Sequence, residues 1–237
     1  MTAEATTLVM LPGLDGTGLV FEPLLGYLPA EIDAQVIHYP TDRPMSFLEH
    51  VDFARRQLPE NRPFVMLAES FSGPVGLQLL AEPPENLLGV IFVATFARHP
   101  SPFLIDTACH LPQSLLLKLF ATPLFSRCLC LGGASADAIK LFRRALLSVK
   151  QSVLSRRLQI LAELPPPAET TFSGPALYIQ ASRDRLVPPR AAEALARHLP
   201  QLQVERISGP HIILLAQPES GALLISTFIS DLKASHE

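Results

Sequence analysis

One short run constrains what the rest of the chain can be: residues 64–74 read Phe-Val-Met-Leu-Ala-Glu-Ser-Phe-Ser-Gly-Pro. Apolar residues suited to a buried strand lead into small residues around Ser70, and a helix-compatible segment at 75–81 follows at once. The pattern is strand, sharp turn, helix. A serine at such a turn must take up a strained backbone, and the residues two before and two after it must be small so that strand and helix can approach. Ala68 and Ser72 meet that demand where the pattern G-x-S-x-G has glycines. Taken alone, the stretch leaves a plainer alternative open, a helix N-terminus capped by Ser70 or Ser72.

The 237 residues, 48% hydrophobic and 17% charged, suffice for one well-buried domain with an insertion. A net charge of −3 offers no basic surplus for nucleic acid. No apolar run approaches the roughly 18 residues that cross a bilayer. The first seven residues carry Glu4 and no Lys or Arg, and the apolar run after them is cut by Pro12 and Gly13, unlike a signal peptide. A cytoplasmic protein is expected. Cys109, Cys128 and Cys130 fit reduced thiols better than a disulfide framework, and their C-x-C pair lacks the further ligands of a metal site. His38, His50, His99 and His110 have no metal-ligand spacing, so surface or packing roles are expected of them.

Taken in order, the chain predicts strands at 7–11, 34–39, 64–70, 89–94, 176–181 and 203–207, with helical segments at 21–28, 45–58, 75–81, 190–199 and 221–233. Continuous apolar runs alternating with amphipathic helices indicate a parallel sheet covered on both faces. Between about 97 and 163 no strand is evident, and helical spacings run through 115–125 and 136–164. Pro165, Pro166 and Pro167 close this helical insertion. The loop after the first strand, Pro12-Gly13-Leu14-Asp15-Gly16-Thr17-Gly18, lacks the G-x-G-x-x-G spacing of a dinucleotide site. Its better use is to aim backbone N–H groups at an anion. Asp15 within it either polarises the site or forms the turn.

Asp184 follows the strand at 176–181 and His211 follows the strand at 203–207, so both sit at the carboxyl ends of strands, as Ser70 does. Ser72 competes as nucleophile, but in its frame the small position would fall on Pro74. The chain order Ser70, Asp184, His211 is that of an α/β-hydrolase. With these segments in place, the sequence resembles the α/β-hydrolase family over nearly its whole length, and in particular small cofactor-free serine esterases with a helical cap. Residues 12–16 resemble its oxyanion loop, residues 68–72 its nucleophile elbow, Asp-x-Leu-Val-Pro at Asp184 its acid segment and Gly-Pro-His at His211 its base segment. The resemblance implies an α/β fold of about six parallel strands flanked by helices, the family's two leading strands being absent. Its core would be residues 1–96 and 168–237, and residues 97–167 a cap inserted after the fourth strand.

The implied function is a carboxylesterase that cleaves a small or medium acyl ester without metal or organic cofactor. Ser70 would be the nucleophile, His211 the base and Asp184 the orienting acid, with the N–H groups of Leu14 and Phe71 as the oxyanion hole. Two alternatives remain at this stage. One is acyl transfer to an alcohol, since some plastid acyltransferases carry a loop resembling residues 12–16; the other is a catalytically silent binding module. The insertion holds nine basic residues against three acidic ones. That balance suits either a solvated helix face or a basic lid that steers an anionic substrate or an acyl carrier. Lys140, Arg143, Arg144, Lys150, Arg156 and Arg157 make up most of it.

Overall fold

A computed structural model describes residues 6–98, 122 and 131–234. The segment read as helical at 115–125 lies outside the described residues apart from Thr122, and so do the three cysteines, His99 and His110.

Six parallel strands form one sheet: β1 (Thr6–Leu11), β2 (Ile32–Val36), β3 (Phe64–Glu69), β4 (Leu87–Val93), β5 (Ala176–Ala181) and β6 (Leu202–Ile207). Their order in space is β2-β1-β3-β4-β5-β6. The chain therefore leaves β1 in one direction to make β2, then returns to the other side of β1 to make β3. That reversal opens a crevice at the carboxyl ends of β1 and β3, where open α/β sheets bind their ligands. Leu11 pairs with Ala68 across it, so the loop starting at Pro12 and the turn at Ser70 emerge side by side.

Both faces of the central strands are buried. Leu8, Met10, Val65, Leu67, Ile91 and Val93 point to one side, and Val9, Leu11, Phe64, Met66, Ala68 and Phe92 to the other. This explains why these strands read as unbroken apolar runs instead of alternating ones. The expected strand at 34–39 is shifted: the ladder to β1 runs from Ile32 to Val36, the Ile37 N–H makes its last hydrogen bond, to the Met10 carbonyl at 2.9 Å, and residues 38–39 leave it. Ile37 and Tyr39 are nonetheless buried, because the chain there tucks beneath the glycine-rich loop, with the Tyr39 N–H donating to the Gly16 carbonyl at 2.8 Å. Burial beyond the end of the ladder extended the strand-like pattern to Tyr39.

The helices among the described residues are α1 (Glu22–Leu25), α2 (Phe47–Arg55), α3 (Ser72–Leu79), α4 (Ala136–Leu147), α5 (Gln151–Ala162), α6 (Ala191–Ala196), α7 (Ile213–Ala216) and α8 (Pro218–Ala234), with a 3₁₀ turn at Leu19–Phe21 before α1. Ser46 and Glu49 make a reciprocal capping box that starts α2. The predicted helix at 21–28 shrinks to the 3₁₀ turn and one α turn, with Pro23 near its start and Gly26 at its end. One helix was missed, α7, a single turn directly after His211 whose Ile213, Leu214 and Leu215 are buried. Between β4 and β5, α4 and α5 lay Phe142, Ala145, Leu146, Val153 and Leu154 against the same apolar cluster as β1 and α8. No helix among the described residues is long and apolar enough to cross a membrane.

The joint between β3 and α3 is tight. A Cβ built on Gly76 would meet the Ala68 Cβ at 3.1 Å, and one built on Gly73 would meet Thr95 Oγ1 at 1.8 Å and its Cβ at 2.7 Å. Gly73→Ala is therefore expected to displace Thr95 and to lower stability by about 1–3 kcal/mol, the usual cost of overpacking. A urea denaturation midpoint equal to the parent's would show that the segment after β4 yields freely.

Candidate active site

Ser70 stands at the turn with φ 48°, a left-handed conformation that a residue with a Cβ rarely adopts. Its neighbours hold it there. The Ser70 N–H donates to the Val93 carbonyl at 2.9 Å, and the Ser70 carbonyl accepts from the Gly73 N–H at 3.0 Å and from the Thr95 hydroxyl at 2.5 Å. Ala94, directly after β4 and beside the turn, is also left-handed at φ 44°.

Asp184 and His211 arrive from the ends of β5 and β6, and the two loops are tied together by hydrogen bonds from Ser182 N–H to the Ile207 carbonyl and from Arg183 N–H to the Gly209 carbonyl, both 2.9 Å. The Asp184 Oδ1 accepts from the N–H groups of Leu186 and Val187 at 2.8 and 2.9 Å, which leaves Oδ2 to accept from His211 Nδ1 at 2.8 Å. A carboxylate accepts only, so this contact fixes the proton on Nδ1 and leaves Nε2 with a lone pair. Ser70 Oγ lies 2.9 Å from that Nε2 and donates to it. Ser72 faces elsewhere. Its hydroxyl donates to the Pro12 carbonyl at 2.5 Å, so the Tyr39 hydroxyl, 3.1 Å away, must be the donor to Ser72 Oγ. With its proton committed and no imidazole beside it, Ser72 is a brace for the loop after β1.

No protein-family model matches the chain. It is 27% identical, over 95% of its length, to the biotin biosynthesis bifunctional protein BioHC of Cellvibrio japonicus, and it spans about half (48%) of that curated relative's length. Among solved structures it superposes on a thermophilic esterase from Thermogutta terrifontis with a TM-score of 0.74 at 20% identity, covering 96% of this chain and 90% of the other. MenH from S. aureus gives a TM-score of 0.76 at 15% identity, covering 98% and 96%. The chain has the α/β-hydrolase fold.

Within this α/β-hydrolase scaffold two ionisable residues to which the sequence reading gave no part in the site lie against it. Glu69 directly precedes Ser70, is 1% exposed, and its Oε1 has no hydrogen-bond partner. Burial pushes its carboxyl up to about 8, helped by repulsion from Asp15 and opposed by His211, so it is neutral at pH 7. A carboxyl interrupting an apolar strand one residue before the serine was the available signal. Arg157 is the second. Expected among the exposed lid cations, it is instead 1% exposed, and this part of the reading is corrected. Its helix explains why: Val153, Leu154 and Ile160 are buried at spacings of four and three from it, so Arg157 occupies the apolar stripe of α5.

The guanidinium reaches the loop after β1. Arg157 Nη1 donates to the carbonyls of Leu14 and Asp15 at 3.1 and 2.6 Å, Nη2 to the Pro40 carbonyl at 2.9 Å, and Nε to His50 Nε2 at 3.4 Å. The His50 Nδ1–H donates to the Ser46 carbonyl at 2.8 Å, and burial holds its pKa down at about 4, so this imidazole is neutral and packs within the network. Asp15 takes the turn-forming role, accepting from the N–H of Thr17 at 2.8 Å and from its hydroxyl, while its charge acts on both Glu69 and Arg157. At His211, burial disfavours the charged ring, but the charge and hydrogen bond of Asp184 outweigh it and raise the pKa above 6.5. Among the described residues no group of His, Cys, Asp and Glu is arranged to hold a metal ion.

The neutral Glu69 has a consequence for stability. Its folded pKa, about 8, lies above its ordinary value of 4.5, so the folded state holds this proton more tightly than the unfolded one. Its contribution is fully present below pH 4.5 and is lost as pH rises to about 8. Glu69→Gln is expected to gain on the parent by about 2–4 kcal/mol between pH 5 and pH 8. Urea denaturation of both proteins at the two pH values checks this; an unchanged difference would mean that Glu69 is already charged at pH 5.

Proposed function

We propose that the chain is a serine carboxylesterase that cleaves a small or medium acyl ester through an acyl-enzyme on Ser70. One observation carries the reading: a hydroxyl on a left-handed turn, an imidazole and a carboxylate joined in line by hydrogen bonds of 2.9 and 2.8 Å. Esterase names among the structural neighbours support it.

In the proposed reaction Ser70 Oγ adds to the ester carbonyl carbon as its proton passes to His211 Nε2. Asp184 holds the ring in the tautomer that can accept and stabilises the imidazolium that forms. The carbonyl oxygen, now an oxyanion, receives the N–H groups of Leu14 and Phe71. His211 then protonates the departing alkoxide, the C–O bond breaks, and the acyl group stays on Ser70. Water repeats the addition with His211 as base, releasing the carboxylic acid and restoring the serine. The residues between β4 and β5, 97–167, would act as the cap over this site, on a core of residues 1–96 and 168–237.

The substrate proposed is a free ester in preference to one borne by an acyl carrier. Lys140 pairs with Asp137, Arg144 with Glu22 and Arg156 with Glu163, at 3.0, 2.9 and 3.2 Å, and Arg157 is buried. Asp137 and Glu163 already count in the balance of the insertion, so its basic surplus is reduced by the Arg144–Glu22 pair and by the burial of Arg157, two cations that a carrier would otherwise meet.

Ser70→Ala is expected to abolish both hydrolysis of p-nitrophenyl esters and covalent labelling by a fluorophosphonate, with an unchanged circular dichroism spectrum; labelling that persists there and disappears in Ser72→Ala would move the nucleophile. Asp184→Asn should lower kcat by a factor on the order of 10⁴ while the fold stays intact. Because His211 titrates above 6.5, kcat/KM should rise with pH through a midpoint above that value. An acid limb below the ordinary imidazole range would show that Asp184 does not favour the imidazolium of His211 in this way.

A further inference from the structure

Arg157 carries a charge into the interior, and each acceptor it binds is neutral: three backbone carbonyls and the lone pair of His50. Its guanidinium also lies 5.7 Å from the centre of the Tyr39 ring, within cation–π range. Removing such a group from water costs several kcal/mol. What the charge holds is specific. Of the carbonyls in the loop after β1, that of Pro12 accepts from Ser72, that of Gly13 from the Gly16 N–H, those of Leu14 and Asp15 from Arg157, and that of Gly16 from the Tyr39 N–H. Five consecutive peptide planes are thus fixed through their oxygens, and the pair next to the Leu14 N–H is fixed by a side chain from α5. The loop makes room for it at Gly16: with φ 68°, a Cβ there would stand 2.3 Å from Arg157 Nη1.

We propose that Arg157 is a positioning residue for the oxyanion hole. The two N–H groups of its Nη1 set the peptide planes on either side of Asp15, the first of which adjoins the plane that carries the Leu14 N–H and is held by the Gly13 carbonyl, so that this N–H is aimed at the developing oxyanion before the ester arrives. It touches neither substrate nor Ser70 and acts through the loop. The hole is then assembled only when α5 is seated, which makes the segment between β4 and β5 a part of the catalytic apparatus as well as a cover. This inference rests on the esterase reading and on the role given there to Leu14.

The test compares the parent with Arg157→Met, close in length and uncharged, and Arg157→Lys, which keeps a charge and loses the fork. Each is measured for kcat and KM with p-nitrophenyl butyrate and for inhibition by an aryl trifluoromethyl ketone. Ser70 Oγ adds to that ketone's carbonyl carbon, its proton passing to His211, and the resulting hemiketal oxyanion occupies the hole. For Arg157→Met, kcat is expected to fall and the ketone Ki to rise by a common factor of about tenfold to a hundredfold, with KM within about threefold of the parent. Arg157→Lys should fall between the two. A loss of thermal stability alone, with kcat and Ki of the folded variants within about threefold of the parent, overturns the proposal. Should Arg157→Met not fold, Arg157→Lys decides by the same criterion. A parent that neither hydrolyses the ester nor binds the ketone overturns the esterase reading and this one with it, whereas an active parent with unaffected variants overturns this one alone.

Discussion

Holding a serine in a left-handed turn is the constraint on which the rest of this structure depends. A residue with a Cβ at φ 48° is strained by something like 1–3 kcal/mol and persists only where its surroundings over-determine it. Here they do so through short-range chemistry: the Ser70 N–H is bound to β4, its carbonyl is bound twice, and Gly73 and Gly76 leave no side chain between α3 and the strands. Those bonds require β4 beside β3, and the bond from the Ser72 hydroxyl to the Pro12 carbonyl requires β3 beside β1, so the order of the sheet and the geometry of the turn are one requirement. The same order places the glycine-rich loop across the crevice from Ser70. Asp184 and His211 are then delivered by the next two strands outward, 114 and 141 residues further along the chain.

Around this turn the interior is unusually polar. Glu69, Asp15, Asp184, His211 and Arg157 are all buried or nearly so, yet they divide into two groups with different logic. Asp184 and His211 satisfy each other and the backbone, which is the condition for keeping ionisable groups in a low dielectric. Glu69 is left with an unpartnered oxygen and meets the cost by remaining protonated. Asp15 connects the groups: its charge disfavours ionisation of Glu69 and favours that of Arg157. Arg157, lowered to about 10 chiefly by burial, is still a cation at pH 7. A change at either end of this set alters the field at the other, although no hydrogen bond links Arg157 to Glu69 among the described residues.

Much of this was legible in the sequence, for reasons that differ by residue. Ser70, Asp184 and His211 could be placed at one edge because each follows a strand, and strand ends in a parallel sheet share one edge. The strand Ala176–Ala181 was read with its bounds correct, since Pro175 precedes it and polar residues follow. The second strand was misplaced because Tyr39 is buried against the glycine-rich loop beyond the end of the ladder, and periodicity reports burial, not pairing. The one-turn helix α7 was missed because four residues carry too little periodic signal. Arg157 was misread because a cation in a helix rich in cations suggests solvent. The position of the residue on the apolar stripe, three after Leu154 and three before Ile160, argued for burial and should have outweighed its type.

That misreading bears on how the insertion relates to the rest of the chain. A cap held only by apolar contact can slide or be exchanged, because such contacts are non-directional and tolerate repacking. The described part of this insertion has both kinds of attachment. Phe142, Ala145, Leu146, Val153 and Leu154 give it an apolar seat, whereas Arg157 adds hydrogen bonds to the carbonyls of Leu14, Asp15 and Pro40 that are satisfied at one position of α5 only. Withdrawing α5 would strip three buried or partly buried carbonyls and one imidazole of their donor at once and leave the loop at residues 14–16 with a space the size of a guanidinium beside Gly16. The directional contacts, few as they are, therefore set where the helix sits, and the apolar ones supply most of the free energy that keeps it there. Substitutions on the outer face of α5 are free to vary within that arrangement, while its inner face is bound to the loop that Gly16 keeps open.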